Sequence, residues 1–339
     1  MQAAASASFE HLIEPHRRGL LAHCYRMLGS WTDAEDVLQD ALLKAWQGLS
    51  TLQEETALRA WLYQVATNAC LSALRAHKAR SVPQLASPPV GADVHVGTFG
   101  EPDGWVEPFP DAASRDDLAG AVEARQTVAL GFILALQHLP PRQRAVLLLC
   151  EVVGYRAAEV AEMLGASVTA VNSALARARV ALERARGETD DWDAPAAELG
   201  DEDRRALERY RTAWEAGDVP GLVALLSREA TFSMPPISTW YRGPRAAAAA
   251  MEGHVFAGGR RFRTVPVVSG GVPALVLMHA DGGSQEFRPL GVQLVWVRRG
   301  RVRRVVSFLV PKLAEAFLRM QRSQRPERAQ RRVSPRRRV

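Results

Sequence analysis

One stretch of this chain sets amide, hydroxyl and guanidinium groups at helical spacing. Thr169, Asn172, Ser173 and Arg177 fall at i, i+3, i+4 and i+8, and Arg179 follows. Such groups can read base edges in a major groove and hold phosphates. A second set is acidic: Asp33, Glu35, Asp36 and Asp40 edge one helix, as would suit a basic partner. A third lies on the outer face of a helix from about Leu58 to Lys78: Arg59, Tyr63, Gln64, Thr67, Asn68, Ser72 and Arg75. The C-terminal part offers possible bases in Asp218, Glu229, His254, His279, Asp281 and Glu286, with no acid–base pair of defined spacing. Cys24, Cys70 and Cys150 stand far apart, so neither a disulfide framework nor a metal site is expected.

The first set requires two short crossed helices. Ala161 is small enough for their contact, and Gly165, four residues on, suits a turn of positive φ. Val171, ten residues after Ala161, can bury against the first helix, and Ser167 can cap the second. A plain helical hairpin would show the same spacing. The acidic set requires the capped helix that starts at Thr32, where Thr32-Asp33-Ala34-Glu35 reads as a capping box. Taken alone, acids in a first turn are also explained by the helix dipole.

The chain has 339 residues, net charge +6, 47% apolar and 24% charged residues. These values exclude collagen, an acidic disordered chain and a disulfide miniprotein. No apolar run reaches membrane-spanning length and no signal peptide is visible, so a cytoplasmic protein is expected. Charge divides the sequence: residues 1–80 sum to 0, 81–117 to −6, 118–187 to +3, 188–203 to −8, 204–318 to +9 and 319–339 to +8. Residues 1–80 read as three helices. Residues 81–117, with six prolines and four glycines, read as a linker. Within that linker, Trp105-Val106-Glu107-Pro108-Phe109-Pro110 fits either a docking segment or a locally packed turn. Residues 118–187 form a second helical block: one long helix from about Asp116 to Leu139, another begun by Pro140-Pro141, then the helix pair. After the acidic linker 188–203 comes an α+β block, 204–320. It has a helix over about 204–227, strands near 230–234, 260–268, 273–280, 284–298 and 301–310 forming a curved antiparallel sheet, a helix over 244–256 and another from Pro311. A basic tail, 321–339, reads as a disordered end.

Two stretches carry a family resemblance. Asp33-Ala34-Glu35-Asp36-Val37-Leu38-Gln39-Asp40, followed by Trp61-Leu62-Tyr63-Gln64-Val65-Ala66-Thr67-Asn68-Ala69-Cys70, resembles region 2 of the extracytoplasmic-function sigma factors of RNA polymerase. Leu139-Pro140-Pro141-Arg142-Gln143-Arg144-Ala145-Val146-Leu147-Leu148, with the helix pair after it, resembles their region 4. Together these cover about residues 9–186. The third block resembles a SnoaL-like domain of the nuclear transport factor 2-like fold, through Tyr210–Asp218, Ser233–Pro236 and Trp240–Gly243. The implied fold is multidomain: all-α region 2 and helix-turn-helix region 4, then an α+β conical barrel.

The resemblance implies function as well. Asp33, Glu35, Asp36, Leu38, Gln39 and Asp40 would dock on the clamp of the polymerase core. Arg59, Tyr63, Asn68, Arg75 and Lys78, with Arg80 on phosphates, would hold the −10 element, and the loop 48–57 would shape a base pocket. Trp61 fits core packing or base stacking. Thr169, Asn172, Ser173, Arg177 and Arg179 would read the −35 element. Trp105, Asp281, Gly282, Gly283, Pro311 and Lys312 would take part in regulation by the C-terminal domain, whose pocket would bind a small ligand or clamp the linker. No cofactor, metal or catalytic activity is implied. The competing reading is a DNA-binding regulator carrying a ligand-sensing or enzymatic SnoaL-like domain and acting without polymerase.

Overall fold

The apolar stripes of the first eighty residues bury as helices α1 (Gln2–Leu28), α2 (Trp31–Gly48) and α3 (Leu58–Ala73). The computed structural model describes residues 2–49, 57–75, 79–92, 104–110, 129–193 and 199–323. The chain divides into two compact units. Residues 50–56 of the expected loop 48–57, Lys78, the expected helix before residue 129 and the tail from 324 lie outside the described residues.

The first unit holds residues 1–81, 103–109 and 126–193. After the first three helices come α4 (Leu130–Gln137), α5 (Pro141–Leu147) with a π-helical turn over Leu148–Val152, α6 (Ala157–Leu164) and α7 (Val168–Thr189). Pro141 opens α5 at a position that needs no amide hydrogen. The described part of α4 is buried along its whole length. A helix apolar on all sides must be surrounded by others, here including α1 and α7.

The second unit holds residues 82–102, 110–125 and 194–339. The single helix expected over 204–227 is two helices, α8 (Asp201–Ala216) and α9 (Val219–Leu225). Gly217 breaks the run at φ 66°, and Asp218 then caps α9 by accepting from the Gly221 amide at 2.9 Å. Six strands follow: β1 (Leu226–Ser233), β2 (Trp240–Arg242), β3 (Arg261–Ser269), β4 (Val272–Ala280), β5 (Arg288–Arg298) and β6 (Arg301–Phe308). They make one sheet in the order β2-β1-β6-β5-β4-β3. The helices α10 (Pro244–Ala250) and α11 (Pro311–Ser323) complete the unit.

The sheet is mixed, which corrects the expected all-antiparallel one: β1 runs parallel to β6, with Phe232 opposite Val305. Short direct connections make β3 to β6 alternate direction, but β1 reaches β6 only through a long intervening stretch, which permits a parallel pair. Strand β2, three residues long, carried too little periodicity to be seen in sequence. Tyr210, Trp214, Leu222, Phe232, Tyr241, Phe262 and Val305 share one core. Inside the unit the fully buried Gln293 accepts from the Tyr210 hydroxyl at 3.1 Å and donates to Ser307 Oγ at 2.8 Å, so its amide is paired at both ends.

Candidate nucleic-acid and polymerase interfaces

The helix pair has the geometry that its spacing requires. Ala161 and Val171 are buried, and Gly165 sits at φ 59°, in the left-handed region that a side chain strains. The Ala166 amide donates to the Ala161 carbonyl, and Ser167 Oγ accepts from the Ala170 amide at 3.1 Å. Burying Val171 turns Thr169, Asn172, Ser173, Arg177 and Arg179 outward, and all five are exposed. Arg179 is also tied to Glu151, Nε to Oε1 at 2.5 Å. The exposed face is therefore amide, hydroxyl and guanidinium, the donor set that base edges and phosphates require.

The face of α3 is different. Asn68 and Arg75 are exposed, but Tyr63 and Thr67 are buried, which corrects their expected outward position. Thr67 Oγ1 donates to the Tyr63 carbonyl at 2.7 Å and so accepts from His23 Nε2 at 2.8 Å. The His23 ring meets Tyr63 edge-on at 5.3 Å. Burial, helped by Arg26, holds the pKa of His23 down to about 3. Tyr63 meets Tyr155 edge-on at 5.9 Å, and burial raises its hydroxyl pKa. Arg59 stacks over both rings, 5.3 Å from Tyr63 and 5.0 Å from Tyr155, and donates to the Val153 carbonyl at 3.2 Å. Of these two −10 candidates Tyr63 is therefore buried, while Arg59 stays exposed although Tyr155 and Val153 engage it. Trp61 is half-buried. Arg80, expected on phosphates, is buried and paired with Asp33, and it also donates to the Trp105 carbonyl at 3.0 Å.

On α2, Asp36, Gln39 and Asp40 are exposed, Asp33 and Glu35 are half-buried, and Leu38 is core. The cap is not the expected one. Ser30 is the N-cap and accepts from the Asp33 amide. The partner expected of Glu35 is Glu107, from the proline-rich segment. Its carboxylate accepts from Ser30 Oγ at 3.0 Å, the Thr32 amide at 2.9 Å and Thr32 Oγ1 at 3.0 Å. Val106 and Phe109 are buried beside it, with Phe109 against Tyr25 and Trp31 at about 5 Å. The segment 104–109 therefore docks on region 2. Burial raises the Glu107 pKa in spite of those three donors. Glu107→Ala is expected to cost about 1–3 kcal/mol, because it leaves buried donors at a helix start unpaired. Thermal unfolding of the full chain measures this, and an unchanged midpoint would refute the capping role.

In the second unit, Asp281, Gly282 and Gly283 form an exposed turn. Asp281 Oδ1 lies 3.3 Å from Arg260 Nε and 3.8 Å from His279 Nδ1. Pro311 and Lys312 are exposed at the start of α11. Of the other base candidates, Asp218 is engaged as a cap, and Glu286 accepts from Arg288 at 3.1 Å. Linker residues 82–92 also pack in this unit. Val90 pairs with Tyr241, the Val90 amide donates to the Trp240 carbonyl at 2.9 Å, and Trp240 Nε1 donates to the Ser87 carbonyl at 2.7 Å. Gln84 Nε2 donates to Ser233 Oγ at 2.8 Å. Among the described residues no helix is long and apolar enough to cross a membrane, and no cluster of His, Cys, Asp and Glu could hold a metal.

Family models match in three places: Sigma-70 region 2 over residues 12–80, Sigma-70 region 4 over 130–182, and a SnoaL-like domain over 207–305. The ECF RNA polymerase sigma factor SigG of Mycobacterium tuberculosis is 38% identical over 312 residues, covering 90% of this chain and 82% of its own. SigM, an ECF sigma factor of the same species, is 34% identical over 182 residues, 53% of this chain and 78% of its own. The crystal structure of the M. tuberculosis extracytoplasmic function sigma factor SigJ is similar in fold, with a TM-score of 0.52 at 24% identity, over 90% of this chain and 96% of that one. Regions 2 and 4 in order, a SnoaL-like domain after them, and a relative alike over nine-tenths of the sequence lead to one conclusion: the chain belongs to the ECF RNA polymerase sigma factors, the subunits that direct RNA polymerase to promoters.

Proposed function

We propose that α7 reads the −35 element through Asn172, Ser173 and Arg177, with Thr169 and Arg179 toward the backbone, and that α3 serves the −10 element. The single observation that carries this is the outward amide–hydroxyl–guanidinium face set by the burial of Val171. On α3, Asn68 and Arg75 are open as they stand. Arg59 is exposed too but is held by Tyr155 and Val153, and Tyr63 is buried, so full −10 recognition follows a separation of region 4 from region 2. Asp36, Gln39 and Asp40 present the acidic edge for the polymerase clamp, while Asp33 is held by Arg80 and Leu38 supports the helix from the core. This protein acts without chemistry of its own. Its C-terminal unit regulates by holding linker residues 82–92, an occupant that the Val90 and Trp240 hydrogen bonds support over a small ligand. The turn Asp281–Gly283, the Pro311-Lys312 corner and Trp105 belong to that control.

In transcription with purified core polymerase, the full chain or a version ending near residue 190 should start RNA at a defined promoter. Failure of both would favour the competing regulator reading. Asn172→Ala should weaken promoter binding by about 1–3 kcal/mol, roughly 5- to 150-fold, and relax preference at one −35 base pair. Equal binding of variant and parent to matched and mismatched duplexes would refute the base-reading role.

A further inference from the structure

The second unit carries a basic groove that the sigma regions do not account for. Arg228 of β1, Arg298 and Arg299 at the end of β5, and Arg301 and Arg303 of β6 line a space of about 490 Å³, with Glu229 as its carboxylate. All five arginines are exposed. Arg301 is anchored through the Ala224 carbonyl at 2.5 Å. Among the described residues, no carboxylate pairs with Arg228, Arg298, Arg299 or Arg303.

The backbone concentrates this charge at its own expense. Arg298 and Arg301 are direct cross-strand partners, an arrangement that like charges oppose. Arg299 has φ 53°, the one residue other than glycine in the left-handed region among the described residues. A two-residue hairpin turn with positive φ at both positions favours Asn-Gly, yet Arg-Gly occupies it. The nearby acid Asp203 accepts from the Gly300 amide at 2.7 Å, so it steadies the turn through its backbone and leaves the guanidinium groups outward. Repulsion of this kind is relieved by an external anion.

We propose that this groove holds the phosphate backbone of DNA, without reading sequence, as a third contact beside the two promoter-reading regions. The inference rests on the promoter-binding reading above. Three features favour nucleic acid. Every cation in the groove is an arginine, whose forked donors match phosphate oxygens. Arg301 and Arg303 alternate along one strand face, about 6.6 Å apart, close to two nucleotide steps of axial rise. Residues 201–318, which include the three acids of the α8 first turn, still sum to +6 against +3 for the region-4 block, so the unit that carries the groove is the more basic of the two.

The test uses holoenzyme assembled from core polymerase and the full chain, with equilibrium binding to promoter and scrambled duplexes at roughly 50 to 200 mM salt. The triple variant Arg228→Gln, Arg298→Gln and Arg303→Gln should make the slope of log affinity against log salt shallower by about 3 and weaken both duplexes equally. The corresponding triple lysine variant should keep most of the slope, which separates charge from folding. An unchanged slope in the glutamine variant, or an equal loss in the lysine variant, would overturn the proposal. Failure of the promoter reading looks different: parent holoenzyme would then not distinguish promoter from scrambled DNA at any salt.

Discussion

Arg144→Ala is expected to destabilise the first unit by about 3–5 kcal/mol. The guanidinium is 2% exposed and serves as a four-way donor. It bonds the Met27 carbonyl at the end of α1, Gln137 Oε1 at 2.9 Å, the Gln137 carbonyl at 3.3 Å and the Leu139 carbonyl at 3.2 Å. Burial draws its pKa down to about 10, still far above neutrality, so the group stays charged. Alanine would strand these acceptors away from water and leave a cavity, and each stranded acceptor costs roughly 1–3 kcal/mol before relaxation. The total is a large share of the 5–15 kcal/mol typical of a folded domain. Urea unfolding of the full chain measures the loss. Lysine should rescue only in part, since one ammonium cannot reach acceptors that a planar fork spans. A loss below about 1 kcal/mol for the alanine variant would show that the network relaxes without its centre. Because Arg144 joins α1 to the helices of region 4, the variant should also open the buried Tyr63 to proteolysis and solvent exchange sooner than the parent.

Acid should unfold the first unit through His23. The unfolded histidine takes up a proton as pH falls through 6.5, while the folded one stays neutral down to about 3. Between those values the unfolded state binds the extra proton, so stability is complete above 6.5 and declines on acidification by about 1.4 kcal/mol per pH unit. At pH 5 the loss relative to pH 7 is about 2 kcal/mol. Glu107 acts in the opposite sense. Its raised pKa lets the folded state take up a proton before the unfolded one, which adds stability as pH falls through that range. Comparison with His23→Gln isolates the histidine, because Glu107 is common to both chains and glutamine retains a donor for Thr67. The difference in unfolding free energy between the two chains should vary with pH below 6.5 and be flat above it. A constant difference from pH 7 to pH 4 would refute the assignment.

The helix pair was legible because its determinants lie within about a dozen residues. Ala161, Gly165, Ser167 and Val171 each answer a local demand of contact, turn, cap or burial, and no distant partner is needed to infer them. The break at Gly217 is equally local, written in Gly217-Asp218 as a glycine of positive φ followed by a capping carboxylate. On α3 a helical wheel separates one apolar stripe from one polar face, so it placed Tyr63 and Thr67 outside. Their partners His23 and Tyr155 sit tens of residues away, and a wheel contains no information about what packs on its second side.

The linker shows the same division. Its aromatic and proline content left residues 105–110 open between a docking segment and a locally packed turn, whereas the acceptor role of Glu107 toward Thr32, 75 residues away, arises only when α2 presents its unpaired amides. Sequence alone determined the order of three blocks, the helical or strand character of most segments and the outward donor set of α7, because these follow from spacing along one element. Tertiary structure alone decided the parallel pairing of β1 with β6, the pairing of Arg80 with Asp33, the burial of Tyr63 and the stacking of Arg59 on Tyr155, and the gathering of Arg228 with the β5–β6 arginines. Each of those joins residues remote in the chain, and their free energy depends on a burial and a dielectric that exist only after the elements pack.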